Sequence, residues 1–588
     1  MNESPKLSSS PASSWVELLQ ARAQRLGART AYTFLEDGED DASSLTYAEL
    51  DVRARQIAAR LQRVASPGDR ALLLYPPGLE YIAAFFGCLY AGVVAVPVYP
   101  PDPSRLERTL PRVQAISVDA GAKLVLSNSF ILGLANDLFE LVPDLKALTW
   151  ISTDSLTDPP EGWRPLALGP DSLAFLQYTS GSTGAPKGVM LTHGNLLRNQ
   201  EMIEQGFSHG KNPCVVGWLP MYHDMGLIGT VLHPLYLGAP CFLMSPWSFL
   251  SSPLRWLKAI SKYRGTGSGG PNFAYELCVR KSTEAERRAL DLSCWEIAFT
   301  GAEPIRPDTM RRFSEAFAIS GFRADALYPC YGLAEATLIV SGRNRKKELA
   351  LLTLETAPLE QNQIAFSTAA PPTPGVRDFV GCGEPLGDER VLIVDPVTRT
   401  LSPFGSVGEV WVSGGNVAKG YWNKPEATSE TFGGRVEPSK EGPFLRTGDL
   451  GFFKGAELYV TGRLKDLIII RGRNLYPQDI ERTAEQTHPA IRPGCSAAFP
   501  VETPAGEGLV LVCEVTVAKV GDPAQLVNLL REAVAQAHEV QPHRVVLMKS
   551  GGVPKTSSGK IQRSEARLQL GRHTLELFHD WSARSRSL

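Results

Sequence analysis

Cysteine is present in this chain only in forms that carry little chemistry. The nine cysteines (88, 214, 241, 278, 294, 330, 382, 495 and 513) are odd in number, scattered and without a CxxC spacing. That argues against a disulfide framework and against a zinc site, and it fits a reducing, cytoplasmic setting. Net charge is nearly missing too: 60 Lys and Arg face 62 Asp and Glu, leaving −2, so no overall field invites nucleic acid. The opening MNESPKLSSSPASS lacks the charged-then-apolar layout of a signal peptide and reads as a disordered lead over residues 1–14. No internal repeat is visible.

Long apolar runs are scarce, with one exception. Residues 81–101, YIAAFFGCLYAGVVAVPVYPP, pass 21 positions without a charge, the length of a membrane span. Gly92, Pro97, Pro100 and Pro101 interrupt the run, however. A helix from about Leu79 to Ala91, capped by Gly92, and a buried strand Val93 to Val98 account for the same residues. No integral membrane span is therefore expected.

What the chain does have is length and apolar content, 588 residues and 43% hydrophobic, enough for more than one core. Amphipathic helices (WVELLQARAQRL, YAELDVRARQIAARLQRV) alternate with short apolar strands (ALLLY, KLVLS, LTWIS), the pattern of a parallel sheet flanked by helices. Texture changes over about 341–380, where a basic run, a short apolar run and a Pro/Thr/Ala stretch show little periodicity; this reads as an insertion. Short strands with glycine turns (RVLIVD, GEVWVSG, AELYV) then suggest a small β-rich lobe. After Gly462 an α+β pattern returns. The expected fold is α/β, with a large N-terminal domain over 15–462 and a smaller, mobile α+β domain over 463–588.

The most informative segment is YTSGSTGAPKGVMLTHGN, residues 178–195. Gly181, Gly184 and Gly188 let backbone N–H groups turn inward, Thr179, Ser180, Ser182 and Thr183 add hydroxyls, and Lys187 supplies a cation for polyphosphate oxygens. DSLAFLQY before it reads as a strand, and LTHGNLLRNQEMI after it as a helix opened by Thr192 or Asn195. A Gly/Ser linker is the plainer reading, but linkers seldom join a buried strand to a helix. It is not a Walker A loop, because Gly188 follows Lys187 where Ser or Thr is required. GTGSGG (265–270) formally satisfies GxGxxG but lacks the strand-before, helix-after setting of a dinucleotide site.

The segment resembles the AMP-binding signature of the adenylate-forming superfamily, which includes acyl-CoA synthetases, luciferases and adenylation domains of peptide synthetases. The resemblance implies ATP and Mg²⁺ as cofactors and assigns roles along the chain. In YGLAEAT (331–337), Tyr331 and Gly332 would bound the adenine and Glu335 would hold Mg²⁺ on the phosphates; a carboxylate oxygen suits that hard cation. Many relatives have threonine where this chain has Ala334. Gly301, Ala302 and Glu303 of FTGAEPI would line the adenine's other face. Asp449 of RTGDL would accept from both ribose hydroxyls, and Arg463 would reach ribose or phosphate. Lys465 would be the hinge on which the C-terminal domain turns, an exposed polar residue suiting a pivot solvated in two orientations. Lys560 of PKTSSGKIQR would act on the charge that develops at the carboxylate and α-phosphate.

For the acid, GWLPMYHDMGLIGT (217–230) places His223 and Asp224 where a strand meets an apolar helix. His223 is a candidate for touching a substrate carboxylate, with a structural histidine as the alternative. Trp218, Met225, Gly226, Ser268, Gly269, Pro271 and Asn272 would form a tunnel for an alkyl chain, whose burial contributes about 0.8 kcal/mol per methylene. No FDxS-type aspartate is present to meet an amino acid's ammonium. Together WLPMYHDMGLIG, SGGPNFAYE, YGLAEAT and LIIIRGRNLYPQDIE look like the fatty acyl-AMP ligases, a branch that carries an insertion where this chain has one. The resemblance implies a fatty acid substrate and a holo acyl carrier protein as acceptor, as in polyketide or lipopeptide biosynthesis. Residues 541–588 hold nine Lys or Arg against three Asp or Glu, a basic surface for an acidic carrier or a plain solvated tail. An acyl-CoA ligase using free CoA and a catalytically silent ATP-binding homologue are the other two readings.

Overall fold

Helix Leu79–Ala91 shows how the apolar run is resolved. In the computed structural model it is a 13-residue helix closed by Gly92 in the left-handed region (φ 67°), followed by strand Val94–Pro97. Every helix residue except Glu80 is buried; Phe85 meets Phe175 edge-on at 5.5 Å. It is a core helix between sheet and helix Tyr47–Val64, and among the described residues no helix is long and apolar enough to cross a membrane. The structure describes residues 12–39, 41–100, 106–134, 142–179, 186–369, 373, 375–503, 506–556 and 559–583.

Two large sheets carry the N-terminal part. The first has six strands in the order Thr149–Ser152, Leu124–Ser127, Arg70–Leu73, Val94–Pro97, Leu173–Thr179, Lys187–Thr192. All pairings are parallel except the last. The second has nine strands, and its interior runs parallel from Leu327–Gly332 through Ile297–Thr300, Gly267–Gly269, Val215–Gly217 and Cys241–Met244 to Thr30–Leu35. The loops leaving the carboxyl ends of these parallel strands are where an open α/β sheet binds ligands. GTGSGG contributes one of the strands, Gly267–Gly269, and is no nucleotide loop.

The β-rich lobe is a five-stranded antiparallel sheet in which Glu441–Lys454 pairs with Gly408–Ser413, Gly434–Val436 and Glu457–Arg463. Residues beyond it form a four-stranded sheet, Ile491–Thr503, Gly506–Val515, Pro542–Met548 and Leu577–Ser582. One face is covered by helices Pro477–Thr487 and Pro523–His538 through Ile480, Ala484, Leu526 and Leu530. The other is covered by Ala566 and Leu570 of helix Arg563–Gly571.

The segment read as an aperiodic insertion has more structure than its sequence suggests. Strand Leu351–Glu355 pairs antiparallel with Val376–Val380, and Leu352, Leu354, Leu359 and Phe379 pack on Val407, Leu450, Phe452 and Tyr459 of the lobe and on Tyr476. Its basic run is an internal staple: Arg343 Nη1 donates to the carbonyls of Asp325 (2.8 Å) and Leu327 (2.6 Å), and Arg345 Nη1 to that of Phe207 (2.7 Å). The insertion also grips the C-terminal part. Arg473 Nε donates to Glu360 Oε2 at 2.7 Å, Asn474 N to Glu360 O at 3.0 Å, and Arg377 Nη1 pairs with Asp479 Oδ2 at 2.7 Å.

All nine cysteines are free. Two buried imidazoles, His193 and His233, and the half-buried His209 make the fold acid-sensitive. His193 accepts the Trp15 N–H at 3.2 Å, and His209 and His233 lie Nε2 to Nε2 at 2.9 Å. Burial lowers His193 and His209 to about 4 and His233 further. The unfolded chain therefore takes up protons first, so stability is full above pH 6.5 and is lost as pH falls toward 4. For His193 alone the loss is about 3 kcal/mol. Thermal melts should show Tm falling steadily from pH 7 to 5; a flat profile over that range would contradict the neutral buried histidines.

Candidate active site

Thr179 and Lys187 are paired neighbours on two antiparallel strands, so the two described ends of the phosphate segment lie side by side. This corrects the strand–loop–helix reading: Lys187 opens a second strand, Lys187–Thr192, and only then does helix His193–Phe207 begin, with Thr192 and Asn195 forming its capping box. The candidates Ser180, Gly181, Ser182, Thr183 and Gly184 lie outside the described residues. The Lys187 ammonium sits 4.8 Å from the centroid of the Tyr421 ring, and Tyr421 donates its hydroxyl to Glu335 Oε1 at 2.8 Å.

Glu335 stands in the short turn Ala334–Ala336, just beyond strand Leu327–Gly332. A Cβ on Gly332 would fall 1.7 Å from Leu338 O, so only glycine lets the chain fold back and present Glu335. Among the described residues the Glu335 carboxylate has one hydrogen-bond partner, Tyr421, which leaves its second oxygen for a cation. No cluster of three or more His, Cys, Asp or Glu surrounds a cavity there or elsewhere among the described residues. One half-buried carboxylate with no protein cage fits Mg²⁺ delivered on ATP, since that ion is usually held by one or two carboxylates plus substrate phosphates.

Tyr331 is buried, and its hydroxyl donates to Asp449 Oδ2 at 2.8 Å while Arg463 Nε donates to Oδ1 at 2.8 Å. Burial and then Asp449 push the Tyr331 phenol well up, so it remains a donor. Asp449 and Arg463 face each other across adjacent strands. Gly301 and Ala302 leave the end of Ile297–Thr300, the neighbour of the strand carrying Tyr331, and Ala302 holds φ at +72°. Glu303 has an internal duty: its Oε1 accepts from Asn272 N (3.0 Å) and Nδ2 (2.9 Å), capping helix Asn272–Arg280.

Lys560 arrives from the other side. A small hairpin, with Thr556 N bonded to Lys560 O at 2.8 Å and Lys555 bridged to Ile561, sets Gly559 against the Phe273 ring. Desolvation lowers the Lys560 pKa, Asp224 opposes it, Arg463 lowers it again, and Glu303 and Asp449 raise it. The lysine thus shares one electrostatic neighbourhood with Asp224, Glu303 and Asp449 of the N-terminal motifs and with Arg463 at the junction. Lys465 is exposed in the turn Leu464–Asp466, and Asp466 next to it accepts from Arg563 Nη1 at 2.8 Å.

His223 and Asp224 open the short helix Asp224–Gly226, which continues into a π-helical segment, Leu227–Leu232, a local irregularity common at functional sites. His223 Nδ1 lies 2.5 Å from Asp224 Oδ1. Burial would raise the Asp224 carboxyl, but His223 and Lys560 outweigh it and hold it at about 2. Trp218 stacks on Phe249 with centroids 3.9 Å apart and meets Phe273 edge-on at 6.0 Å; Met225 is buried in the same cluster, and Gly226 is buried against the Leu219 and Pro220 carbonyls. Ser268 is spent inside the core, accepting from Trp256 Nε1 (2.7 Å) and donating to Val216 O (2.6 Å). Gly269 packs against Phe299, and Pro271 is the N-cap position before Asn272. The sequence alone does not single out Phe249 and Tyr421, whereas Phe273 lies in the segment SGGPNFAYELC expected to wall the tunnel; aromatics following GGNVAKG are the available signal for Tyr421.

The chain is similar to known proteins over nearly its whole length. The family described as AMP-binding enzyme matches residues 19–422, and one described as Disco-interacting protein 2-like, AMP domain matches 465–579. The chain is 48% identical to the medium-chain-fatty-acid–[acyl-carrier-protein] ligase JamA of Moorena producens, covering 97% of each. It is 36% identical to the ligase of the same description, TtuA, of Teredinibacter turnerae, covering 93% of this chain and 91% of that one. The fatty acyl-adenylate ligase of L. pneumophila, solved with acyl adenylate and pyrophosphate, superposes with a TM-score of 0.74 at 42% identity over 97% and 98% of the two chains. The chain belongs to the adenylate-forming, AMP-binding enzymes and, within them, to the fatty acyl-AMP ligases.

Proposed function

We propose that this enzyme activates a fatty acid with ATP to an acyl-adenylate, releasing pyrophosphate, and then passes the acyl group to the phosphopantetheine thiol of a holo acyl carrier protein. The observation that supports the reading is the seating of the Lys560 hairpin on the acyl side of the N-terminal part, with Gly559 against the Phe273 ring, which brings Lys560 under the charges of Asp224, Arg463, Glu303 and Asp449. In the first step a carboxylate oxygen attacks the α-phosphorus and pyrophosphate leaves. The Tyr331 ring and the Gly301–Ala302 backbone bound the adenine, Asp449 takes the ribose, and Lys187 with the phosphate segment receives the polyphosphate. His223, oriented by Asp224, faces the carboxylate, and Lys560 offsets the negative charge gathering around the α-phosphate. Glu335 would hold Mg²⁺, which when bound neutralises phosphate charge. In the second step the carrier's thiol attacks the acyl carbonyl and AMP departs, after the domain 463–588 turns about Lys465. The expected setting is the cytoplasm, in polyketide or lipopeptide assembly. The names of two relatives favour a medium-chain acid, and the aromatic wall of Trp218, Phe249 and Phe273 suits an alkyl chain.

The alternative, an acyl-CoA ligase, is disfavoured by the hold of the insertion on the C-terminal part through Glu360 and Arg377. Purified protein given ATP, Mg²⁺, fatty acids of graded length, and either CoA or a holo carrier protein should release pyrophosphate and load the carrier while making little acyl-CoA. Efficient acyl-CoA synthesis would overturn the carrier reading. A protein that releases no pyrophosphate with any acid would be the silent homologue instead.

A further inference from the structure

The segment 416–422, NVAKGYW, belongs to none of the motifs above, yet it joins the two halves of the phosphate site. On one side it runs along strand Lys187–Thr192: Met190 N donates to Gly420 O (2.9 Å), Lys419 N to Met190 O (3.1 Å) and Trp422 N to Gly188 O (2.8 Å). On the other it binds the turn that carries Glu335. Ala418 N donates to Glu335 O (2.9 Å), Asn416 Nδ2 to the carbonyls of Ala336 and Ile339 (3.1 Å each), and Thr337 Oγ1 to Asn416 O (2.5 Å). Gly420 holds φ at +128°, and a Cβ there would fall 2.3 Å from Thr428 Cγ2, so the segment turns tightly enough to aim residue 421 inward. Tyr421 is buried, 6% exposed; its ring underlies the Lys187 ammonium and its hydroxyl holds Glu335.

We propose that Tyr421 is a positioning residue of the metal–phosphate site, its hydroxyl orienting the Glu335 carboxylate toward the cation and its ring orienting Lys187 toward the phosphates. The inference rests on the adenylation reading and deepens it. Position 334 is a buried alanine with no hydroxyl to offer, so Tyr421 is the side chain that ties carboxylate and cation together. A ligand carboxylate fixed by an outer hydrogen bond binds its metal more tightly, and losing such a partner typically costs about 10- to 100-fold in metal affinity.

Mn²⁺ binding to the protein–ATP complex without fatty acid, read by electron paramagnetic resonance, separates this role from simple packing. Tyr421→Phe should weaken Mn²⁺ binding about 10-fold and leave ATP affinity without divalent cation unchanged, because the ring under Lys187 remains. Tyr421→Leu should weaken both. In a Glu335→Gln background Tyr421→Phe should add no further loss. Wild-type Mn²⁺ affinity in a folded Tyr421→Phe protein would overturn the proposal while leaving adenylation intact, whereas a wild-type complex that binds no Mn²⁺ would overturn it together with the metal reading. Should Tyr421→Phe not fold, 3-fluorotyrosine placed at 421 keeps ring and hydroxyl. Its ¹⁹F resonance should shift when Mg²⁺ is added to the ATP complex, and a stationary resonance would equally overturn the proposal.

Discussion

Replacing Lys560 by alanine should slow acyl-adenylate formation about 10²- to 10³-fold, the usual loss for one preorganised electrostatic contact to a transition state. Lys560 sits on a hairpin outside the sheet of its domain, and no hydrogen bond of its side chain holds the fold together among the described residues. The variant should therefore melt close to wild type and keep its ATP affinity. Pyrophosphate release under saturating ATP and acid checks the rate, and equilibrium binding of ATP checks the ground state. A variant that releases pyrophosphate at the wild-type rate would remove Lys560 from the chemistry and, with it, the reason for the C-terminal part to close on the site.

Cutting the insertion's hold on the C-terminal part should have the next largest effect. Arg473 and Asn474 are tied to Glu360, and Asp479 is tied to Arg377, while Arg377 also lies 5.0 Å from the Tyr476 ring centroid. Arg473, Asn474, Tyr476 and Asp479 all follow the proposed pivot, Lys465, in sequence. If they bias the closed arrangement by about 1 to 3 kcal/mol, a typical coupling energy, removing them should raise acyl-CoA formation roughly 5- to 150-fold without abolishing adenylation. Glu360→Ala combined with Arg377→Ala, assayed with free CoA, gives the test. An adenylating variant that still refuses CoA would refute restraint and point to a CoA channel that is closed for other reasons.

Much of the fold was legible because its signals are local. The run 79–98 carries its own helix, its glycine cap and its strand, and the amphipathic run WVELLQARAQRL is the helix Trp15–Leu26. What escaped was set by partners far away in sequence. Strand Lys187–Thr192 reads as loop because its pairing with Leu173–Thr179 is invisible in a six-residue window. The insertion hairpin joins strands separated by a Pro-rich stretch, and the apolar side chains of Leu352 and Leu354 make sense only against the lobe. Site residues divide the same way. Tyr331, Asp449 and Lys560 were legible as family motifs, whereas Tyr421 acts on Glu335 across 86 positions. Ser268 and Glu303 are side chains whose hydrogen bonds serve Trp256, Val216 and Asn272, duties that no motif announces.

The strand order of the nine-stranded sheet has a consequence for how such enzymes diversify. In the proposed reading the acyl wall follows strands Val215–Gly217, Cys241–Met244 and Gly267–Gly269, while the nucleotide is handled from Ile297–Thr300, Leu327–Gly332, the neighbouring six-stranded sheet and the β-rich lobe. Substrate choice and energy currency are thus inherited on separate strand ends of one scaffold. A laboratory graft confined to 246–251 and 273–280, which keeps His223, Asp224 and Asn272 in place, should move acid preference while pyrophosphate release with the matching acid is retained.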